Sequence, residues 1–185
     1  FWTLLRKSLH DARWSLFLST AALFALGWLF VFVASKNESL IRQVLNGGDG
    51  KGFGRFRQLG LDADPPSIQI MMAFWDNPFI VLMIVMFAIG RGANAVGAEI
   101  ERGTLDMVMS RPVSRSSYLG SHVLATIIGL LVIAGSLAGG AYAATFYNFL
   151  KTPPSARLLA MPAFNLAALA FPMYGYTLLF SSMDI

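Results

Sequence analysis

Long apolar runs alternate with charged segments along this chain, and the runs have the length of a bilayer crossing. Trp14 to Ser35 is 22 residues without a charge. At about 1.5 Å per helical residue it covers about 33 Å, enough for a hydrocarbon core of about 30 Å. Pro78 to Ala98 is a second run, opened by a proline suited to a first helical turn. Ser116 to Leu150 has 35 residues with no formal charge, and Leu158 to Met183 has 26. The pattern predicts an all-α, polytopic membrane protein with four transmembrane helices, a single domain over 1–185. Its expected layout is an interfacial helix at 1–14, spans at 14–35, 78–98, 118–146 and 158–183, extracytoplasmic loops at 36–77 and 147–157, and a cytoplasmic segment at 99–117.

The first fourteen residues, FWTLLRKSLHDARW, alternate with helical period. Phe1, Trp2, Leu4, Leu5, Leu9 and Ala12 fall on one arc, and Thr3, Arg6, Lys7, His10, Asp11 and Arg13 on the other. Aromatic and leucine residues opposite a basic face suit a helix lying in the headgroup plane. The plainer alternative is a basic lead-in to the first span.

Within the spans a few residues stand out. Arg91 interrupts the second, at a cost of about 2.5–3.5 kcal/mol at a helix centre on insertion scales. It must therefore face a partner helix, an aqueous cavity or the nearer interface; snorkelling and a pathway-lining role both fit, and Asn94 lies close by. The third run exceeds one crossing, so its helix tilts or projects. There, Ser121, Ala125 and Gly129, and again Gly135, Gly139 and Ala143, recur every four residues, as small-residue stripes that let helices approach do. His122, near the start of this span, reads better as a hydrogen-bonded interface residue than as a ligand. In the fourth, Pro172 should kink the helix, and Asn165, Tyr174, Tyr176 and Thr177 could line a polar path or bond between helices.

Composition agrees with the runs. Hydrophobic residues make up 56% and charged residues 13% of the chain, against about 25% charged in a soluble domain. The net charge of +4 points to lipid headgroups rather than to nucleic acid. The absence of cysteine excludes disulfides and thiolate-bound metal. The polar stretch 36–77 centres on NGGDGKGFG, but it is no phosphate loop: Gly52 follows Lys51 where Ser or Thr is required, and Leu45 stands where the first glycine should be. Positive charge does not orient the protein. The N-terminal and 91–115 segments carry seven Lys and Arg, and the two opposite loops carry seven, so only the basic N-terminus favours a cytoplasmic start. The chain opens on Phe1 and closes on Ile185, which suggests part of a longer protein.

The charged segment from Gly97 to Leu119, GAEIERGTLDMVMSRPVSRSSYL, must sit in water at a membrane face, because apolar runs flank it. Glu99, Glu101 and Arg102 continue the second helix outward. Gly103 can terminate it and Thr104 can cap a short new helix. Leu105, Val108 and Met109 share one face of that helix, with Asp106 between them. Arg111-Pro112 ends the turn. Such a helix reads either as a docking surface for a soluble partner or as a polar turn.

EIERGTLDMVMSRPVSRSSYLGS resembles the signature between the second and third spans of ABC-2-type transporter permeases: an acidic pair, Arg-Gly-Thr-Leu, a short mixed run, Pro, Ser-Arg and Tyr-Leu. The match runs through Glu99, Glu101, Arg102, Gly103, Thr104, Leu105, Pro112, Val113, Ser114, Arg115, Tyr118 and Leu119, and departs at Gly120-Ser121, where Gly-Lys is frequent. The resemblance implies that Glu99 to Arg115 is cytoplasmic and that Thr104 to Ser110 is a coupling helix seated in a separate ATP-binding cassette ATPase subunit. It implies ATP and Mg in that partner and no cofactor bound by this chain, a second permease copy, a bacterial cytoplasmic membrane with the N-terminus inside, and two further spans after Ile185. An intramembrane enzyme and a non-transporting anchor are the alternatives. The first lacks a paired nucleophile and base, since Ser121 and His122 point about 100° apart on a helix. The second leaves the matched segment unexplained.

Overall fold

The structure, a computed structural model, describes residues 2–36, 75, 77–101, 103, 115–147 and 155–183. Among them are four long helices and no strand: α1 (Trp2–Lys36), α2 (Pro78–Glu101), α3 (Arg115–Tyr147) and α4 (Ala156–Met183). All four are long and apolar enough to cross a membrane. Local chemistry sets their starts. Asn77 caps α2, its side-chain oxygen accepting from the Phe79 amide at 3.0 Å, with Pro78 in the first turn where its missing N–H costs nothing. Ser155 caps α4 through the Leu158 amide at 3.3 Å. Helix α4 continues through both Pro162 and Pro172. At the far end of α2, Gly103 adopts φ = 64°, the left-handed conformation typical of the residue after a helix.

The segments expected separately as an interfacial helix at 1–14 and a span at 14–35 are one continuous helix. No glycine or proline stands between residues 2 and 26 to release it. One stripe, Leu5, Ser8, Ala12, Leu23, Gly27 and Val31, is buried along the whole of α1, so its first turns pack against the bundle by the same face as the rest. Trp2, on the arc assigned to lipid, is exposed.

The bundle consists of two parallel pairs. Helix α1 lies along α3, with Ser8 beside His122 and Phe24 beside Gly140. Helix α2 lies along α4, with Gly92 against Thr177 and Gly97 near Ser181. The pairs run antiparallel to each other, since Tyr118 meets Ala95 while Gly129 meets Phe87. They join mainly along α3 and α4; α1 and α2 barely touch. Leu23, Ile84, Ile133, Leu137, Leu159 and Ala170 form the buried core.

Glycine decides where backbones meet, though at positions the four-residue stripes do not mark. A Cβ on Gly27 would lie 2.6 Å from the Leu137 carbonyl oxygen, and one on Gly140 would collide with the Phe24 backbone. Gly135 and Gly139 face open space. Of the earlier stripe, Ser121, Ala125 and Gly129 are buried.

Candidate functional site

Antiparallel pairing brings the start of α1, the end of α2, the start of α3 and the end of α4 to one end of the bundle. The described polar side chains that are buried concentrate there. Arg91 is 9% exposed, Ser8 2%, Ser121 1%, Thr126 0% and Tyr174 1%. Arg91 Nη2 donates to Ser8 Oγ at 2.8 Å, and Ser8 Oγ lies 3.4 Å from His122 Nδ1. Ser8 Oγ thus stands between the guanidinium, from which it accepts, and the imidazole. The Tyr118 ring packs at 4.8 Å from that imidazole, and its hydroxyl donates to the Ala95 carbonyl at 2.8 Å. Three helices are thus tied within two turns.

Helix α4 is tied to α2 differently. Ser181 Oγ accepts from the Gly97 amide at 3.2 Å and donates to the Ala93 carbonyl at 3.1 Å. Those two backbone groups form one rung of the α2 ladder, so the hydroxyl engages the rung itself. One turn earlier, Thr177 fills the space left by Gly92. Between these ties lies the Tyr174 hydroxyl. It is near enough to Thr126 for a long, weak hydrogen-bond interaction and to Arg91 for an electrostatic one, yet it is fully buried with no partner at full hydrogen-bond distance.

The height of the layer follows from α1. The charge-free run begins at Trp14, whose ring lies 5.7 Å from the Arg13 guanidinium, an arrangement typical of the membrane interface. Ser8 is six residues earlier, about 9 Å along the axis, outside the apolar run. Arg91, bonded to it, therefore lies level with Ser8, toward the end of the bundle where α1 starts, although it interrupts an apolar span. Its side chain is buried against α1 rather than turned outward.

Of the residues singled out for an intramembrane role, the structure brings Arg91, His122 and Tyr174 into this layer and leaves Asn94 and Asn165 on the exposed surface. Ser8, Thr126 and Ser181 were not marked by sequence. Ser8 does share the helical arc of Leu5 and Ala12, which was its only signal. A serine beside a histidine invites comparison with nucleophilic catalysis. Here the serine is closed off between helices and already engaged by a cation, which suits packing rather than attack on a substrate.

In the segment between α2 and α3, Glu99 and Glu101 belong to the last turn of α2, Gly103 follows it, and Arg115 opens α3. The coupling-helix assignments on Arg102, Thr104, Leu105, Asp106, Val108, Met109 and Pro112 lie outside the described residues. Among the described residues no three His, Cys, Asp or Glu converge as a metal site.

Comparison with protein families matches residues 2–183 to one described as ABC-2 family transporter protein. No curated protein and no solved structure matches the chain. The match spans all four helices and the charged segment between the second and third. This chain therefore belongs to the ABC-2 transporter family, as a membrane-spanning transport permease.

Proposed function

We propose that the chain is the permease subunit of an ATP-driven exporter of the bacterial cytoplasmic membrane, with its N-terminus in the cytoplasm. A separate soluble ATP-binding cassette subunit holds ATP and Mg and hydrolyses the nucleotide. A second permease copy completes the pathway, and lipid surrounds both. The observation that carries this proposal is the convergence of α2 and α3 at the polar end of the bundle. The charged segment leaves one helix at Gly103 and enters the other at Arg115, and Tyr118 ties the two helices just inside.

Force applied between those helix ends has a defined route. Displacing the end of α2 carries α4 with it through Ser181 and Thr177. Displacing the start of α3 carries α1 with it through the Ser8–His122 contact and the glycine approaches further along. Nucleotide state in the ATPase then biases the two helix pairs between inward- and outward-facing arrangements.

Co-purification with the cognate ATPase, followed by hydrolysis assays in nanodiscs, tests the proposal. The permease should bind the ATPase and change its turnover, and deletion of Leu105 to Met109 should abolish both effects. Binding and turnover that survive the deletion would overturn the coupling assignment.

A further inference from the structure

Arg91 has more donors than partners. A guanidinium carries five N–H donors and a charge that cannot be removed by deprotonation. Among the described residues Arg91 makes one hydrogen bond, to the neutral Ser8 hydroxyl. Burying a cation with a single neutral acceptor is unfavourable unless something else satisfies it. The exposed carboxylate of Asp11, one turn along α1, acts on it electrostatically from beyond salt-bridge distance. The Tyr174 hydroxyl, also within electrostatic reach of Arg91, is a second buried donor, with Thr126 near it but no partner at full hydrogen-bond distance.

These two groups lie toward the polar end of the bundle, on the border between the helix pairs, where α1 and α2 make few contacts besides the Arg91–Ser8 bond. A charged fork and a phenol, both donors, call for a ligand rich in acceptor lone pairs and negative in charge. We propose that Arg91 and Tyr174 form an anion subsite that takes a phosphate or carboxylate group entering between α1 and α2. Ser8 holds the guanidinium in register from one side. Asp11 is the resting counter-charge that an arriving anion must outcompete.

The subsite would give the transport reading a class of substrate, anionic at one end, but its test needs no ATPase and so can fail or succeed independently of that reading. The cysteine-free full chain is purified in dodecyl maltoside and titrated with monododecyl phosphate, inorganic phosphate and dodecyltrimethylammonium, following thermal stabilisation and intrinsic tryptophan fluorescence. Saturable binding of monododecyl phosphate is expected, with no matching response to the cationic amphiphile. Arg91→Gln, which keeps a donor for Ser8, should weaken it by about tenfold or more, and Arg91→Lys by less, because a charged hydrogen bond is lost only in the first. Asp11→Asn, on an exposed site that does not endanger folding, should strengthen it by about twofold to fivefold.

If inorganic phosphate binds as tightly as the dodecyl ester, the subsite holds a free anion. If only the ester binds, it holds the headgroup of an amphiphile. Equal binding of the cationic amphiphile overturns the proposal. So does an affinity unchanged in both Arg91→Gln and Asp11→Asn. Should Arg91→Gln not purify as a monodisperse protein, the Asp11→Asn result decides alone: unchanged or weaker binding refutes the subsite.

Discussion

The α1–α3 contact and the α2–α4 contact hold parallel helices together by opposite means. Along α1 and α3 the glycines subtract side chains until backbones touch: Gly27 on the Leu137 carbonyl, Gly140 on the Phe24 backbone. Along α2 and α4 side chains reach into backbone instead, Thr177 into the space at Gly92 and Ser181 onto the rung between Ala93 and Gly97. In lipid no hydrophobic force draws helices together, so close packing and polar contacts must do it. The first kind of contact has no room to adjust. The second relies on hydroxyls that can rotate and re-pair. The difference marks α1–α3 as the more tightly fixed pair and the end of α2–α4 as the more adjustable one.

Breaking the tightly fixed pair should have the largest effect. Gly140→Leu sets a branched side chain against the Phe24 backbone, which cannot move aside, and should yield no monodisperse protein on size exclusion. Gly27→Ala should lower stability by about 2 kcal/mol, read from thermal unfolding in detergent. The adjustable end should yield less. Gly92→Ala meets the Thr177 side chain first and should cost about 1–2 kcal/mol, partly recovered in the double variant with Thr177→Ala. The recovery is incomplete because the Tyr174 carbonyl oxygen and the residue-177 Cβ, which alanine keeps, each still lie 2.8 Å from the new Cβ.

Single hydrogen bonds should matter less again. Ser181→Ala and Tyr118→Phe each remove one interhelical tie and should cost about 0.6 kcal/mol, near the average for such bonds in membranes. Their effect should appear instead as a loss of ATPase stimulation by the permease, since both ties lie on the proposed force route. Gly135→Ala sharpens the comparison from the other side. Its Cβ would meet nothing, so its stability should stay within about 0.5 kcal/mol of the parent.

The spans were legible because uncharged runs of this length have few alternatives to crossing a bilayer. The element order, the helix-opening place of Pro78 and the end of α2 before Gly103 could be read residue by residue. What pairs with what could not. The α3 stripe through Gly135 and Gly139 looks like a packing face and is open, whereas Gly140, one residue on, carries the contact. Periodicity fixes a face only relative to its own helix, and the partner's position decides which glycine is used.

The start of α1 misleads for a related reason. Its charges all lie on one arc, as on a surface helix, but Leu5, Ser8 and Ala12 are in register with Leu23, Gly27 and Val31 more than two turns on. The polar layer was half visible. Arg91, His122 and Tyr174 stood out as polar groups in apolar runs, whereas Ser8 lies among polar neighbours and becomes notable only when Arg91 is seen to bond to it.

The central claim is that the segment between α2 and α3 works from the cytoplasmic side. The chain's lack of cysteine makes the direct measurement simple: Leu105→Cys and Lys51→Cys, each the sole thiol, exposed to a membrane-impermeant maleimide in intact cells and in inside-out vesicles. Leu105→Cys should label only in inside-out vesicles, and Lys51→Cys only in cells. Labelling of Leu105→Cys from outside intact cells would place that segment where no ATPase can reach it and would contradict the account.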